Sequence, residues 1–84
     1  MDFDLTEHAR ESLRKRPNIR LAWMEQVLHN PERSEPDGID PDLEHRLGRI
    51  DECEGRVLRV IVNRAVSPLK IVTVYFDRAM RNKL

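Results

Sequence analysis

The sequence predicts an α+β domain in which two N-terminal helices pack on an antiparallel meander of three to four strands. The segments Val57–Val62 and Lys70–Phe76 alternate between an apolar phase and a mixed phase, which is the period of a strand. Residues 6–29 instead repeat apolar side chains at helical spacing. Short connections between the strand candidates favour antiparallel neighbours. A chain of 84 residues is enough for one small domain, residues 1–84.

The first helix is predicted from Thr6 to about Arg16. Thr6 suits the N-cap, Glu7 places a negative charge in the first turn, and the helix must end before Pro17. The second helix is predicted over Arg20–His29 because Asn30 and Pro31 stop it. Its predicted apolar stripe consists of Leu21, Met24, Val27 and Leu28.

The rest of the chain is predicted to be a loop, three strands and a short tail. The predicted order is a surface loop at 36–42, a weakly alternating strand at 44–50, a turn at 52–55, a strand at 57–62, a turn at 65–68, a strand at 70–76 and a basic tail at 77–84. We expect the helices to cover the apolar phase, made up of Leu58, Val60, Val62, Val72, Val74 and Phe76. We call the opposite phase the mixed face; it comprises Val57, Arg59, Ile61, Ile71, Thr73 and Tyr75. Its aliphatic side chains indicate that this face touches a substrate, a partner or another part of the chain.

The charges cancel overall but are unevenly distributed. Residues 1–42 carry a net charge of −4 and residues 43–84 carry +4, and twelve of the fifteen basic residues are arginine. Arginine suits bidentate contacts to phosphate or carboxylate. The asymmetry is compatible with a nucleic-acid face, with two halves that attract each other, or with an acidic protein partner.

Several function classes are disfavoured by what the sequence lacks. It contains no P-loop, no dinucleotide fingerprint and no zinc-ligand spacing, so we expect neither a cofactor nor a metal. Its single cysteine, Cys53, cannot form an internal disulfide. No apolar run is long enough for a membrane span and the N-terminus has no signal-peptide pattern, so we expect a soluble cytoplasmic protein.

His8 is a candidate general base near the second position of the first helix. The free N–H groups and the dipole at that end attract phosphate and keep more of a histidine neutral. The alternative is a structural histidine that caps the helix or packs at its start. Arg16 has two interpretations as well, either a buried ion pair with Asp51 or Asp77 or a phosphate contact at the edge of the sheet.

Arg59, Thr73 and Tyr75 meet on the mixed face, and Arg46 joins them if Leu47 points to the core. Metal-free cleavage of RNA needs a base for the 2′-OH proton, cations for the phosphorane charge and an acid for the leaving 5′-oxygen. Arginines supply the cations, and His8 or Tyr75 supplies the other roles. In the alternative, Arg59 and Tyr75 form a cross-strand pair that binds a partner protein.

The pattern Thr6-x-His8-Ala9-x-x-x-x-Leu13-x-x-Arg16, followed by Val27-Leu28-x-Asn30-Pro31, resembles an uncharacterised prokaryotic family of small domains. The strands Val57–Val60 and Val72–Arg78 also look like that family. Its members are similar to the RelE/ParE and BrnT toxins of toxin–antitoxin pairs. The resemblance implies a RelE-like fold and places the family's histidine at His8 and its helix-end arginine at Arg16.

The resemblance leads to a first hypothesis, a toxin-like endoribonuclease that acts on mRNA without metal, free or on the ribosome, and is held by a small antitoxin-like protein. Its predicted catalytic residues are His8, Arg59 and Tyr75, and its predicted phosphate-binding residues are Arg16, Arg46 and Arg78. A second hypothesis is a non-catalytic binding module whose mixed face docks a partner or a second copy. A third is inhibition of a larger enzyme, as ParE-like proteins inhibit gyrase. RelE-like enzymes tend to be strongly basic, whereas this chain is neutral.

Overall fold

Two helices cover one face of a five-stranded mixed sheet in the computed structural model, which describes residues 2–84. The elements are β1 (Phe3–Leu5), α1 (Glu7–Lys15), α2 (Leu21–His29), β2 (Arg33–Pro36), β3 (Leu43–Ile50), β4 (Arg56–Asn63) and β5 (Leu69–Phe76). Short 3-10 turns lie at Asp51–Cys53 and Arg78–Met80. The predicted α+β class with two helices on one sheet is confirmed, and the sheet has more strands than predicted.

Both helices begin and end where the sequence indicated. The Thr6 side-chain oxygen accepts a hydrogen bond from the Ala9 amide at 3.1 Å and donates one to the Val72 carbonyl at 3.2 Å, so the cap ties α1 to β5. In α2 the predicted stripe is partly wrong, because Leu21 is exposed and Trp23 is buried in its place. Neither helix described within residues 2–84 is long and apolar enough to cross a membrane.

The strand order is β1-β5-β4-β3-β2, with the predicted antiparallel meander β3-β4-β5 at its centre. Two short strands were not predicted. β1 adds parallel to β5, and β2 adds antiparallel to β3. Both are edge strands, and β2 carries two charges and Pro36, which is the composition of a protected edge rather than of a core strand.

A bulge in β5 shifts the predicted alternation by one residue. Ile61 pairs with Thr73, but its neighbour Val62 pairs with Ile71, which leaves Val72 without a β4 partner in the described sheet. Ile71 is therefore fully buried in the core rather than on the mixed face, and Val72 is only half-buried. The prediction for these two residues is wrong because alternation assumes an uninterrupted ladder.

The core lies between the helices and the apolar phase of the sheet. It is formed by Phe3, Ala9, Ile19, Trp23, Met24, Val27, Leu28, Ile50, Leu58, Val60, Val62, Ile71 and Val74. Gly48 of β3 lets α2 approach closely, since a Cβ at this position would lie 3.1 Å from the Val27 Cγ2 atom.

We expect Gly48→Val to destabilise the fold by about 1–3 kcal/mol, because its side chain would press on the fully buried Val27. Chemical denaturation measures this difference. Gly38→Ala is the control, since nothing lies within 4 Å of a Cβ there. Equal stability of Gly48→Val and wild type would show that α2 can move away at no cost.

Candidate functional site

The twelve arginines fall into two equal groups by their partners. Six form ion pairs with carboxylates, namely Arg14, Arg33, Arg46, Arg49, Arg59 and Arg64. The other six have no carboxylate within ion-pair distance among residues 2–84, namely Arg10, Arg16, Arg20, Arg56, Arg78 and Arg81. Four members of this second group lie together.

Arg16, Arg56, Arg78 and Arg81 line two adjoining clefts at one end of the sheet, which we call the arginine groove. One cleft, of about 400 Å³, is lined by Arg56, Val57, Phe76, Asp77, Arg78 and Arg81. The other, of about 240 Å³, is lined by Arg16, Asn18, Ile19, Arg56, Phe76 and Arg78. The clefts share Arg56, Phe76 and Arg78, so they form one continuous surface.

A third depression continues the arginine groove toward the start of α1, and we call it the His8 pocket. It has a volume of about 290 Å³ and is lined by His8, Glu11, Ser12, Lys15, Arg16 and Thr73. Arg16 belongs to both the His8 pocket and the arginine groove. Arg16 thus connects the arginine groove to a pocket that contains His8 and Lys15 beside the carboxylate of Glu11.

The fold explains why these arginines converge. β4 and β5 are antiparallel, so Arg56 at the start of β4 lies at the same end of the sheet as Phe76, the last residue of β5. The turn Arg78–Met80 follows β5 directly and ends at Arg81. Arg16 is the C-cap of α1 and is exposed. Three separate elements, α1, β4 and the turn after β5, thus place positive charge at one end of the sheet.

Phe76 gives the arginine groove a rigid floor. The guanidinium carbon of Arg56 lies 4.3 Å from the Phe76 ring centroid, and Phe76 packs edge-to-face on Trp23 with centroids 6.3 Å apart. The Trp23 indole N–H in turn donates to Glu52 at 3.0 Å. Stacking of a guanidinium on a ring leaves its N–H edges free, so Arg56 is held in place with donors available for an anion.

The arginine groove is positive although the chain is neutral. Asp77 is the carboxylate that lines it, and this side chain is already paired with Arg59 at 2.8 Å. Carboxylates near β2 and β3 pair with other arginines; Glu32 binds Arg49 and Glu44 binds Arg46. Positive charge therefore concentrates at this end of the sheet, because the carboxylate in the groove lining is already paired and four arginines there have no ion-pair partner among residues 2–84.

Arg59 is the centre of a separate, largely buried network. Its Nε donates to Asp77 at 2.8 Å, and its Nη1 donates to Glu35 at 3.3 Å and to the His45 Nδ1 at 2.7 Å. Burial acts to lower the Arg59 pKa, but the hydrogen bonds with Asp77 and Glu35 outweigh burial and the pKa is raised. Its charge is compensated inside the protein, which leaves little of it for a ligand.

The same network fixes the tautomer of His45. Because arginine only donates, the His45 Nδ1 must accept from Arg59, so the proton sits on Nε2. That N–H donates to Asp37 at 2.7 Å. The pKa of Asp37 falls from 3.8 to about 2 through the backbone N–H of Asp40, the His45 contact and the backbone N–H of Ile39.

We expect the free energy of unfolding to depend on pH through Asp37, which lies in the acidic loop at 36–42. A depressed carboxyl pKa stabilises the fold above the unfolded value of 3.8, and this contribution disappears as pH falls toward about 2. Asp37→Asn should therefore be less stable than wild type near neutral pH and should approach it across that acid range. Denaturant unfolding at several pH values measures this, and a constant difference down to pH about 2 would contradict it.

The structure corrects the predicted position of Arg46. It lies opposite Val60 on the helix-covered side of the sheet, where its Nε donates to Glu44 at 2.6 Å and its Nη1 to the Leu28 carbonyl at 2.7 Å. Leu47, not Arg46, lies on the mixed face opposite Arg59. The condition that would have placed Arg46 beside Arg59, Leu47 pointing to the helix-covered core, is not met, so Arg46 is not on the mixed face.

The structure also corrects the ion pair considered for Arg16 and shows what covers the centre of the mixed face. The buried ion pair considered for Arg16 is wrong, because its side chain is exposed and makes only a 3.5 Å contact with the Ser12 carbonyl among residues 2–84. On the mixed face, Leu47 and Val57 are buried within the single chain. The centre of the mixed face is therefore shielded from solvent by residues of this chain alone.

The three residues predicted to be catalytic do not share a pocket. Arg59 and Tyr75 are direct cross-strand neighbours on the mixed face, and Tyr75 is half-buried. His8 is exposed on α1 and lines its pocket with Arg16 instead. Of the six predicted site residues, His8, Arg16 and Arg78 lie along the connected groove.

A family model described as a domain of unknown function, DUF4258, matches residues 5–76. The chain belongs to the DUF4258 family. No curated protein and no solved structure matches it. The DUF4258 match includes His8, Arg16, Arg56 and Phe76 and ends before Arg78, so the turn that completes the arginine groove lies beyond the matched segment.

Sequence reasoning missed two groove residues of this DUF4258 chain, Arg56 and Arg81. A signal for Arg56 was present, because it continues the apolar phase of β4 at the position where the strand begins. A charged residue in a core phase at a strand end marks the rim of the core. Arg81 lies in a tail without periodicity, and its position depends on the turn after β5.

Proposed function

We propose that this protein is the toxin-like component of a toxin–antitoxin pair, a metal-independent endoribonuclease that holds mRNA in the arginine groove and cleaves it at His8. The observation that carries the proposal is that four arginines without a carboxylate partner among residues 2–84 line one groove. Arg16 of this groove also lines the pocket that contains His8. The resemblance to RelE-like and BrnT toxins supports the same function and a RelE-like arrangement of the fold.

The arginine groove suits a phosphate backbone. Guanidinium groups bind phosphate in a bidentate manner, and two adjoining clefts that share Arg56 and Arg78 suit successive phosphates of one strand. One face of Phe76 is already covered by Arg56, so the groove offers charge rather than a free stacking surface. We therefore expect binding that depends strongly on salt and weakly on base sequence.

His8 is placed to act on the strand that the arginine groove holds. It is the second residue of α1, where free N–H groups attract phosphate, and it is exposed. In the proposed reaction His8 takes the 2′-OH proton, and the 2′-oxygen bonds to phosphorus. The P–O5′ bond breaks, and Lys15 of the same pocket protonates the leaving oxygen. Arg16 stabilises the additional negative charge of the phosphorane.

An acidic segment of a partner protein is the alternative occupant of the arginine groove. Guanidinium groups bind carboxylates as well as phosphates, and the chain's net charge of zero lacks the basic excess typical of nucleic-acid-binding domains. In that case the protein is a non-catalytic binding module, or a ParE-like inhibitor of a larger enzyme.

Incubation of the purified protein with end-labelled single-stranded RNA in EDTA tests the proposed reaction. We expect fragments with 2′,3′-cyclic phosphate and 5′-hydroxyl ends, since the 2′-oxygen is the nucleophile. Induction in a bacterial host should arrest growth, with RNA sequencing locating the same cuts. RNA binding without cleavage, and without arrest at high soluble expression, would favour the binding module.

A further inference from the structure

Asp77 connects the buried Arg59 network to the arginine groove. Its Oδ1 accepts from the Ala79 amide at 2.9 Å and so caps the turn Arg78–Met80. Its Oδ2 accepts from Arg59 at 2.8 Å, and its backbone N–H donates to the Val57 carbonyl at 2.8 Å. One residue thus joins β4 to the segment that carries two groove arginines.

Arg59 is itself anchored in the middle of the sheet. It lies on β4 between Leu47 of β3 and Tyr75 of β5, with its side chain only 10% exposed. Glu35 on β2 and His45 on β3 accept its remaining hydrogen bonds. The Arg59 guanidinium is therefore a fixed point, because three strands determine where it sits.

The groove turn, in contrast, has little of its own to hold it. It is a single turn of three residues, Arg78–Met80. Arg78 within the turn and Arg81 directly after it are both exposed. Such a short 3-10 turn is not stable by itself and depends on its cap and its attachment. The side-chain hydrogen bonds that attach it to the sheet are those of Asp77.

We propose that Arg59 is a positioning residue of the arginine groove, which acts through Asp77 to hold Arg78 and Arg81 opposite Arg56. This inference rests on the proposed function, because it takes RNA as the ligand of the arginine groove. A held turn presents its guanidinium groups at a fixed separation, whereas a loose turn must be ordered at each binding event. Arg59 thus contributes to binding without touching the ligand.

Asp77→Asn separates positioning from simple electrostatics, because the two effects have opposite signs. Asparagine caps a turn as well as aspartate does, so the Ala79 hydrogen bond is kept while the ion pair with Arg59 is lost. Removing a negative charge from the groove lining should by itself tighten RNA binding. Loss of positioning should instead weaken it, by about tenfold for two arginines.

The experiment measures the affinity of a fluorescent single-stranded RNA for wild type, Asp77→Asn, Arg78→Ala/Arg81→Ala and the triple variant. We expect Asp77→Asn to weaken binding in the wild-type background and to cause no loss when both arginines are absent. Equal losses in both backgrounds, or tighter binding by Asp77→Asn, would overturn the inference. Arg59→Lys keeps the positive charge but lacks the planar guanidinium that binds several acceptors at once, so it should behave like Asp77→Asn.

A second measurement needs no RNA and separates this inference from the proposed function. The heteronuclear NOE of the backbone amides of residues 78–81 should fall in Asp77→Asn while that of β4 stays unchanged. Unchanged values at 78–81 would overturn the positioning role. If wild type fails to bind RNA but the NOE values fall, the proposed function is wrong and the positioning of the turn stands.

Discussion

Replacing both Arg56 and Arg78 with alanine should weaken the binding of single-stranded RNA by about 100-fold. These two arginines line both clefts of the groove, and neither forms an ion pair within residues 2–84. A charge-assisted hydrogen bond contributes about 1.5–3 kcal/mol, so the loss of two corresponds to about 3 kcal/mol or more. Fluorescence anisotropy at several salt concentrations measures the affinity. The slope of log affinity against log salt should fall in magnitude by about 1.4, since each phosphate contact contributes about 0.7.

The matched control for this double variant is Arg10→Ala/Arg64→Ala, which removes the same charge elsewhere. Arg10 lies about 200° around α1 from His8, and Arg64 is in the connection between β4 and β5 at the other end of the sheet. We expect this control to bind RNA within a few-fold of wild type, in line with its unaltered groove. Equal losses in the two double variants would mean that net charge, and not the arginine groove, determines binding.

His8→Ala should lower the rate of RNA cleavage by about 10²–10⁴-fold while leaving RNA affinity nearly unchanged. This is the usual contribution of a general base, and His8 lines neither of the two clefts that form the arginine groove. Single-turnover cleavage with excess protein separates the chemical step from binding. His29→Ala is the control, since His29 is also partly exposed but contacts Asp2 at 3.2 Å outside the groove. Cleavage by His8→Ala at the wild-type rate would exclude His8 as the base.

The helices and the central meander could be predicted because their signals are local. Thr6 and Pro17 fix the ends of α1, and β4 and β5 are each eight residues long, enough for an alternating pattern to be recognised. β1 and β2 could not be predicted, since three or four residues give no measurable period and their pairing depends on distant strands. The bulge at Val72 could not be predicted either, because it is a property of how β5 pairs with β4.

The candidate site was predictable only in part. Arg16 and Arg78 were expected to contact phosphate, and they line the groove. The environment of Arg59 could not be inferred, because its partners Asp77 and Glu35 are 18 and 24 residues away in sequence. Which arginines are paired with carboxylates is decided by register and by loop positions. Sequence alone therefore gives the number of arginines but does not indicate which remain free for a ligand.

The most direct test of the arginine groove as the RNA site is a titration of ¹⁵N-labelled protein with a short single-stranded RNA, followed by amide NMR spectra. We expect the chemical shift changes to concentrate at Arg16, Arg56, residues 76–81 and the start of α1 near His8. Shifts centred on the acidic loop at 36–42 or on β2, with the groove unchanged, would contradict it. So would the absence of any shift at low salt, where phosphate contacts are strongest.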